Sequence, residues 1–117
     1  MGNFKNLNVW KISKDFAVLI YQITNKDAWL KDYGFRDQIR RAVISIASNI
    51  AEGDASGTDK NSIHYFYIAR GSAAEIYTQA TIAYEIGYLS KEDFTKIEPI
   101  VEDISAKLMN LIKSRKK

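Results

Sequence analysis

A chain of 117 residues, of which 46% are hydrophobic and none is cysteine, has the composition of one globular domain without disulfide bonds or cysteine-ligated metal. Four of its positive charges lie at the C-terminus, on Lys113, Arg115, Lys116 and Lys117. Subtracting these four from the net charge of +3 leaves −1 for the rest of the chain, which argues against a uniformly basic nucleic-acid surface.

The start of the chain, MGNFKNLNVWKIS, lacks the apolar run of a signal peptide. Nor does any later segment approach the ~20 apolar residues of a membrane-spanning helix. We therefore expect a cytoplasmic protein that has no membrane partner.

The first predicted helix covers about residues 7–25. Its apolar residues recur at steps of three and four, which places them on one face of an amphipathic helix. These residues are Val9, Ile12, Phe16, Leu19, Ile20 and Ile23.

The second predicted helix covers about residues 35–52 and carries two stripes of different character. Its apolar stripe consists of Phe35, Ile39, Ala42, Ile46 and Ile50. Its narrow polar stripe consists of Gln38, Arg41, Ser45, Ser48 and Glu52. Because residues three and four apart share a helix face and serine is small, we expect another helix to approach the polar stripe closely.

The third predicted helix covers about residues 59–87 and follows the loop GDASGTD, with Thr58 or Asp59 as its N-cap. One stripe of this helix is rich in alanine, which suits tight antiparallel packing. Two further stripes also contain large apolar side chains. A helix that is apolar on more than one side is covered on more than one side, so we expect a second subunit to cover it.

The fourth predicted helix covers about residues 91–114. Gly87 favours a helix stop before it, and Ser90 with Asp93 resembles a capping box. Pro99 lies well inside the predicted helix and should bend it or shift its start. Four helices with short connections predict an all-α fold, an antiparallel up-down-up-down four-helix bundle that forms a single domain over residues 1–117.

Several charged and amide side chains interrupt the apolar helices and need partners. Pairing antiparallel neighbours across the predicted turns brings Glu75 near Arg36 and Arg40, and brings Arg70 near Glu102. We therefore predict a structural polar network of Arg36, Arg40, Arg70, Glu75, Glu102, Asn49 and Glu52. The alternative is a functional arginine cluster.

The sequence offers little for catalysis. His64 is the only histidine, so neither a di-iron site with two Glu-x-x-His motifs nor a patterned catalytic triad can form. The loop GDASG has neither Walker nor dinucleotide-binding spacing. We predict a non-enzymatic protein with no catalytic residue, no metal ligand and no cofactor.

Three segments resemble a known family. They are VWKISKDFAVLIYQIT, QIRRAVISIASNIAEG and IARGSAAEIYTQATIAYEIGYLS. They are similar to the bacterial 23S rRNA intervening-sequence proteins, and the similarity extends over about residues 9–90. Ala47 replaces a proline of the family pattern, which removes the reason for a kink in the second helix.

The resemblance implies a four-helix bundle and, by similarity to a related branch, a homopentamer. That branch comprises accessory proteins of diversity-generating retroelements, which engage a reverse transcriptase and RNA. Two functions follow as expectations: a homo-oligomeric scaffold or adaptor, or an RNA- or DNA-binding accessory protein. The second function would use RNA or a nucleic-acid-processing protein as partner. Its candidate binding residues are Arg40, Arg41, Arg70, Lys113, Arg115, Lys116 and Lys117.

Overall fold

The computed structural model describes residues 3–116. Within this range the chain forms four α-helices and two short 3-10 helices, and it contains no strand. The α-helices are α1 (Asn8–Ile23), α2 (Tyr33–Ala55), α3 (Asp59–Glu85) and α4 (Lys91–Arg115). The 3-10 helices are Phe4–Asn6, before α1, and Asp27–Leu30, between α1 and α2. The predicted all-α class is confirmed.

Helix α2 is longer at both ends than the sequence pattern predicts. Asp32 caps its start, since the carboxylate accepts a hydrogen bond from the amide of Phe35 at 3.2 Å. At its other end α2 continues through Gly53, which the pattern suggested as a stop. The segment around Ala47 is helical throughout.

The starts of α3 and α4 follow the capping chemistry read from the sequence. The Thr58 hydroxyl accepts from the amide of Asn61 at 3.2 Å, and the Ser90 hydroxyl accepts from the amide of Asp93 at 3.0 Å. Gly87 adopts a φ of 86°, a left-handed conformation that ends α3. Pro99 lies inside α4, which runs as one helix from Lys91 to Arg115.

Each helix packs on its sequence neighbour, and α4 also packs on α1. The α2–α3 contact is the most extensive and the α1–α4 contact the least extensive of these four. The Ser62 hydroxyl, near the start of α3, donates to the Gly53 carbonyl near the end of α2 at 2.6 Å. At the opposite end of the bundle, Trp29 lies against Tyr88. These contacts join the end of α2 to the start of α3, and the α1–α2 connection to the α3–α4 turn.

The core extends along the whole length of the bundle. Its largest fully buried side chains are Trp29, Phe16, Phe66, Ile20, Ile39, Ile46, Ile50, Ile76, Ile97, Ile104, Leu108 and Ile112. Alanine supplies much of the α3 face, which lets α2 and α4 approach its backbone. None of the helices in residues 3–116 is both long and apolar enough to cross a lipid bilayer.

Candidate interaction surfaces

Arg40 holds α2 against the end of α1. Its Nε donates to the Thr24 hydroxyl at 2.9 Å, and its terminal nitrogen donates to the Tyr21 carbonyl at 3.3 Å. The guanidinium also lies 4.4 Å from the centroid of the Tyr21 ring, in cation–π geometry. The partners of Arg40 are therefore a hydroxyl, a carbonyl and an aromatic ring of α1 and its end.

The predicted polar network does not form within the chain. Among the ion pairs of residues 3–116, none joins two of its charged members, and Arg70, Glu75 and Glu102 are exposed. Arg36 instead places its guanidinium 5.1 Å from the centroid of the Tyr33 ring. The paired carboxylates and guanidinium groups of the prediction are thus replaced by separate local contacts.

The register of α2 against α3 explains this correction. The hydroxyls of Ser45 and Ser72 form a hydrogen bond of 2.9 Å across the two helices. This pairing puts Glu75, one turn further along α3, level with Ala42 instead of Arg36. The predicted register was displaced because α2 extends beyond residue 52 and the α2–α3 connection is correspondingly shorter.

Asn49 belongs to a small polar seam between α2 and α3. Its amide nitrogen donates to the carbonyl of Ser45 at 2.8 Å and to the hydroxyl of Ser45 at 2.9 Å. Ser45, a residue of the predicted polar stripe, also forms the 2.9 Å hydrogen bond with Ser72 of α3, so α3 approaches the stripe at this position. Glu52, which the prediction placed in the network, is exposed at the end of the stripe.

An aromatic junction, defined here as Trp29, Phe35 and Tyr88, joins the α1–α2 connection to the α3–α4 turn. The Trp29 ring stacks on Phe35 at 5.2 Å and meets Tyr88 edge-on at 5.4 Å. The Trp29 indole donates to the Tyr88 carbonyl at 3.0 Å, and the Tyr88 hydroxyl donates to Asp32 at 2.9 Å. That hydrogen bond to Asp32 is the main cause that raises the pKa of Tyr88 above its usual value.

Sequence reasoning missed this junction. Its signal was the pair of aromatic residues in the otherwise polar segment NKDAWLKDYG, of which Trp29 becomes buried. The second aromatic, Tyr33, stays exposed. The sequence alone does not distinguish Trp29 from Tyr33, because the partner Tyr88 lies far along the chain, in the α3–α4 turn.

Other tyrosines pack α3 against α4. The Tyr84 ring stacks on Phe94 at 4.8 Å, and the Tyr77 ring stacks on it at 6.3 Å. The Tyr77 hydroxyl donates to Glu98 at 2.6 Å, which is the largest cause of a raised pKa for Tyr77. These two rings are therefore engaged in contacts between α3 and α4.

Two basic residues near the C-terminus, Arg115 and Lys116, contact the bundle. Arg115 donates to Asp54 at 3.3 Å and places its guanidinium 5.2 Å from the centroid of the Phe66 ring. The Lys116 ammonium donates to the Tyr67 hydroxyl at 3.1 Å. Lys117, another predicted nucleic-acid contact, lies outside the described residues.

The candidate nucleic-acid residues divide into two groups. Arg40 and Arg41 line one depression on the α1–α2 side. Arg70 lines a depression between α3 and α4 together with Tyr67, the residue that Lys116 contacts. Lys113 is exposed on the last turn of α4. The sequence prediction treated them as one set, whereas the fold separates them.

Two exposed apolar surfaces stand out. The first, the α1–α2 groove, is lined by Lys14, Ala17, Val18, Tyr21, Gln22, Asn25, Arg40 and Ile44. Its Val18 is 51% exposed and its Ile44 is 44% exposed. The second, the α3 ridge, consists of Ile68, Glu75 and Ile82 on the outer face of α3 beside α2, together with Ile86 directly after the end of α3. Its isoleucines are 40%, 48% and 53% exposed.

Residues 3–116 contain no group of three histidine or acidic side chains arranged to hold a metal ion. His64 is exposed on the first turns of α3, with its ring edge-on to Tyr65 at 5.5 Å.

Comparisons with known proteins agree with this architecture. A family model described as 23S rRNA-intervening sequence protein matches residues 5–110. A crystal structure of a protein of unknown function from the S23 ribosomal protein family of Bacteroides thetaiotaomicron VPI-5482 is similar, with a TM-score of 0.83 and 25% identity. The match covers 90% of this chain and 95% of that one. A search of curated proteins finds no match.

Proposed function

Since the chain belongs to the family of 23S rRNA-intervening sequence proteins, we propose that it is a non-enzymatic, homo-oligomeric scaffold or adaptor. The observation that carries the proposal is the exposure of large apolar side chains on three helices, at Val18, Ile44, Ile68, Ile82 and Ile86. Apolar patches of this kind on a soluble protein mark interaction sites more often than free surface. The assembly expected by family resemblance is a pentamer.

Sizing of the purified protein tests this proposal directly. We expect light scattering at micromolar concentration to give a multiple of the chain mass of 13.3 kDa, and five times that mass for a pentamer. Dilution should dissociate the assembly reversibly, because oligomerisation follows mass action. A single species of 13.3 kDa across the whole concentration range would contradict it.

A second candidate is nucleic-acid binding by the basic end of the α3–α4 side. It is favoured by one observation: Lys116 and Arg70 both lie beside Tyr67, a ring that is 42% exposed. Cations next to an exposed aromatic ring suit single-stranded nucleic acid, since bases stack on the ring while the cations contact phosphates.

Removing positive charges from this end tests whether the protein binds nucleic acid there or acts only as a scaffold. We expect the double variant Lys113→Gln/Lys116→Gln to bind a structured RNA more weakly and with a shallower salt dependence than the wild type. Lys5→Gln/Lys11→Gln is the matched control, since both of its lysines are exposed elsewhere on the chain. Equal binding by the two variants would exclude this end as the contact, and absent binding near physiological salt would leave the scaffold role alone.

A further inference from the structure

We propose that copies of the chain assemble head to tail, with the α3 ridge of one copy seated in the α1–α2 groove of the next. This inference rests on the proposed function, because it names the contact that holds the oligomer together. The occupant of each surface is therefore a second copy of this chain.

The two surfaces are matched in shape and polarity. The groove is a depression between two helices, with Val18 and Ile44 on its walls and the Tyr21 ring in its lining. The ridge is one helix face on which Ile68 and Ile82 lie about four turns apart, with Glu75 midway between them. An exposed apolar helix face can pack into a groove between two other helices.

Their charges are complementary. Arg40 and Arg41 lie in or beside the groove and supply its positive charge. Lys14 also lines the groove but forms an ion pair with Asp15 at 2.8 Å, and Asp37 shares the adjoining depression. The ridge carries Glu75, which is exposed and has no ion pair within residues 3–116. A positively charged groove and an acidic ridge attract each other, whereas two identical surfaces repel.

The repulsion between two identical surfaces favours a head-to-tail contact over a symmetric one. A symmetric contact between two ridges would bring Glu75 close to the Glu75 of the other copy, and a contact between two grooves would oppose Arg40 and Arg41 to themselves. A head-to-tail contact avoids both arrangements. Because α2 contributes to the groove and adjoins the ridge, the two surfaces occupy neighbouring sides of the bundle, so successive copies turn and close a ring instead of a straight fibre.

The acidic residue of the ridge and the arginines of the groove also lie at matching positions along the long axis of the bundle. The Ser45–Ser72 hydrogen bond fixes α2 against α3 and brings Glu75 level with Ala42, the residue after Arg41. In two copies placed side by side with parallel long axes, Glu75 of one copy therefore meets the Arg40 and Arg41 side of the other. Ile68 and Ile82 lie about two turns to either side of this charge contact along α3.

Two single substitutions test the two surfaces separately. We expect Ile44→Asp, which blocks the groove, and Ile82→Asp, which blocks the ridge, each to yield a monomer in light scattering. Both side chains are exposed, so circular dichroism should report the helix content of the wild type. Ala106→Asp introduces the same charge at an exposed position of α4 and should leave the assembly unchanged.

Mixing the two monomeric variants gives the decisive result. The Ile44→Asp chain retains an intact ridge and the Ile82→Asp chain retains an intact groove, so a 1:1 mixture should form a heterodimer of twice 13.3 kDa. The two altered surfaces both carry aspartate and cannot pair, which stops growth at two subunits. A mixture that stays monomeric overturns the head-to-tail contact.

Charge reversal gives an independent test that does not depend on the isoleucines. Glu75→Arg and Arg41→Glu should each raise the concentration of half-assembly by about tenfold, and the double variant should restore it. If the wild type assembles but Ile44→Asp or Ile82→Asp keeps its size, the proposed contact is wrong while the oligomeric scaffold stands. If the wild type is itself monomeric, the proposed function fails first.

Discussion

Replacement of Trp29 by alanine is expected to destabilise the fold by ~3–5 kcal/mol, the range for truncating a large buried aromatic residue. Trp29 is 1% exposed and lies between Phe35 and Tyr88. Its loss would leave a cavity where the α1–α2 connection meets the α3–α4 turn. It would also remove the hydrogen bond from the indole to the Tyr88 carbonyl, at 3.0 Å.

Urea unfolding at a fixed protein concentration measures this effect, since assembly makes stability depend on concentration. Trp10→Ala is the matched control, because Trp10 is only half-buried and meets Phe4 edge-on at 5.2 Å. Trp29→Phe should retain most of the packing and cost ~1–2 kcal/mol for the lost hydrogen bond and ring area. A Trp29→Ala loss no larger than that of Trp10→Ala would show that the aromatic junction does not support the fold.

The helices were predictable because their signals are local. Apolar residues at helical spacing, Thr58 and Ser90 as caps, and Gly87 as a stop each act within a few residues of the chain. The interhelical contacts were less predictable, because they depend on the register between helices. Gly53 illustrates the difference: glycine read as a helix stop instead lies inside α2, where it allows another helix to approach.

The partners of Arg40 show a second limit of sequence reasoning. A guanidinium was expected to find a carboxylate, and Glu75 was the acidic residue within reach of the assumed register. Arg40 instead bonds a hydroxyl and a backbone carbonyl of the α1 end, and it stacks on Tyr21. Every residue offers a carbonyl, so no sequence pattern marks which one an arginine will meet.

Gly53→Ala should destabilise the protein by ~1–3 kcal/mol, although alanine normally stabilises a helix by up to about 1 kcal/mol relative to glycine. An added Cβ would lie 2.6 Å from Cε1 and 2.8 Å from Cδ1 of Phe66, and 3.1 Å from the carbonyl oxygen of Ser62. Phe66 is fully buried, and Arg115 lies over its ring. The ring therefore has little room to move away.

Gly34→Ala provides the matched control, since Gly34 is also within α2 and an added Cβ there meets no atom within 4 Å. We expect this variant to be as stable as the wild type or more stable by up to about 1 kcal/mol. The two variants thus carry the same chemical change in the same helix and should shift the urea midpoint in opposite directions.

A second substitution identifies which contact causes the loss of stability in Gly53→Ala. In a Phe66→Leu background the clashing ring is absent, so Gly53→Ala should cost less than it does in the wild type. An unchanged cost in that background would place the strain at the Ser62 carbonyl instead. If Gly53→Ala proves as stable as Gly34→Ala, then α2 and α3 lie further apart near Gly53 than the structure has them, and the α2–α3 register that brings Glu75 level with Ala42 would need revision.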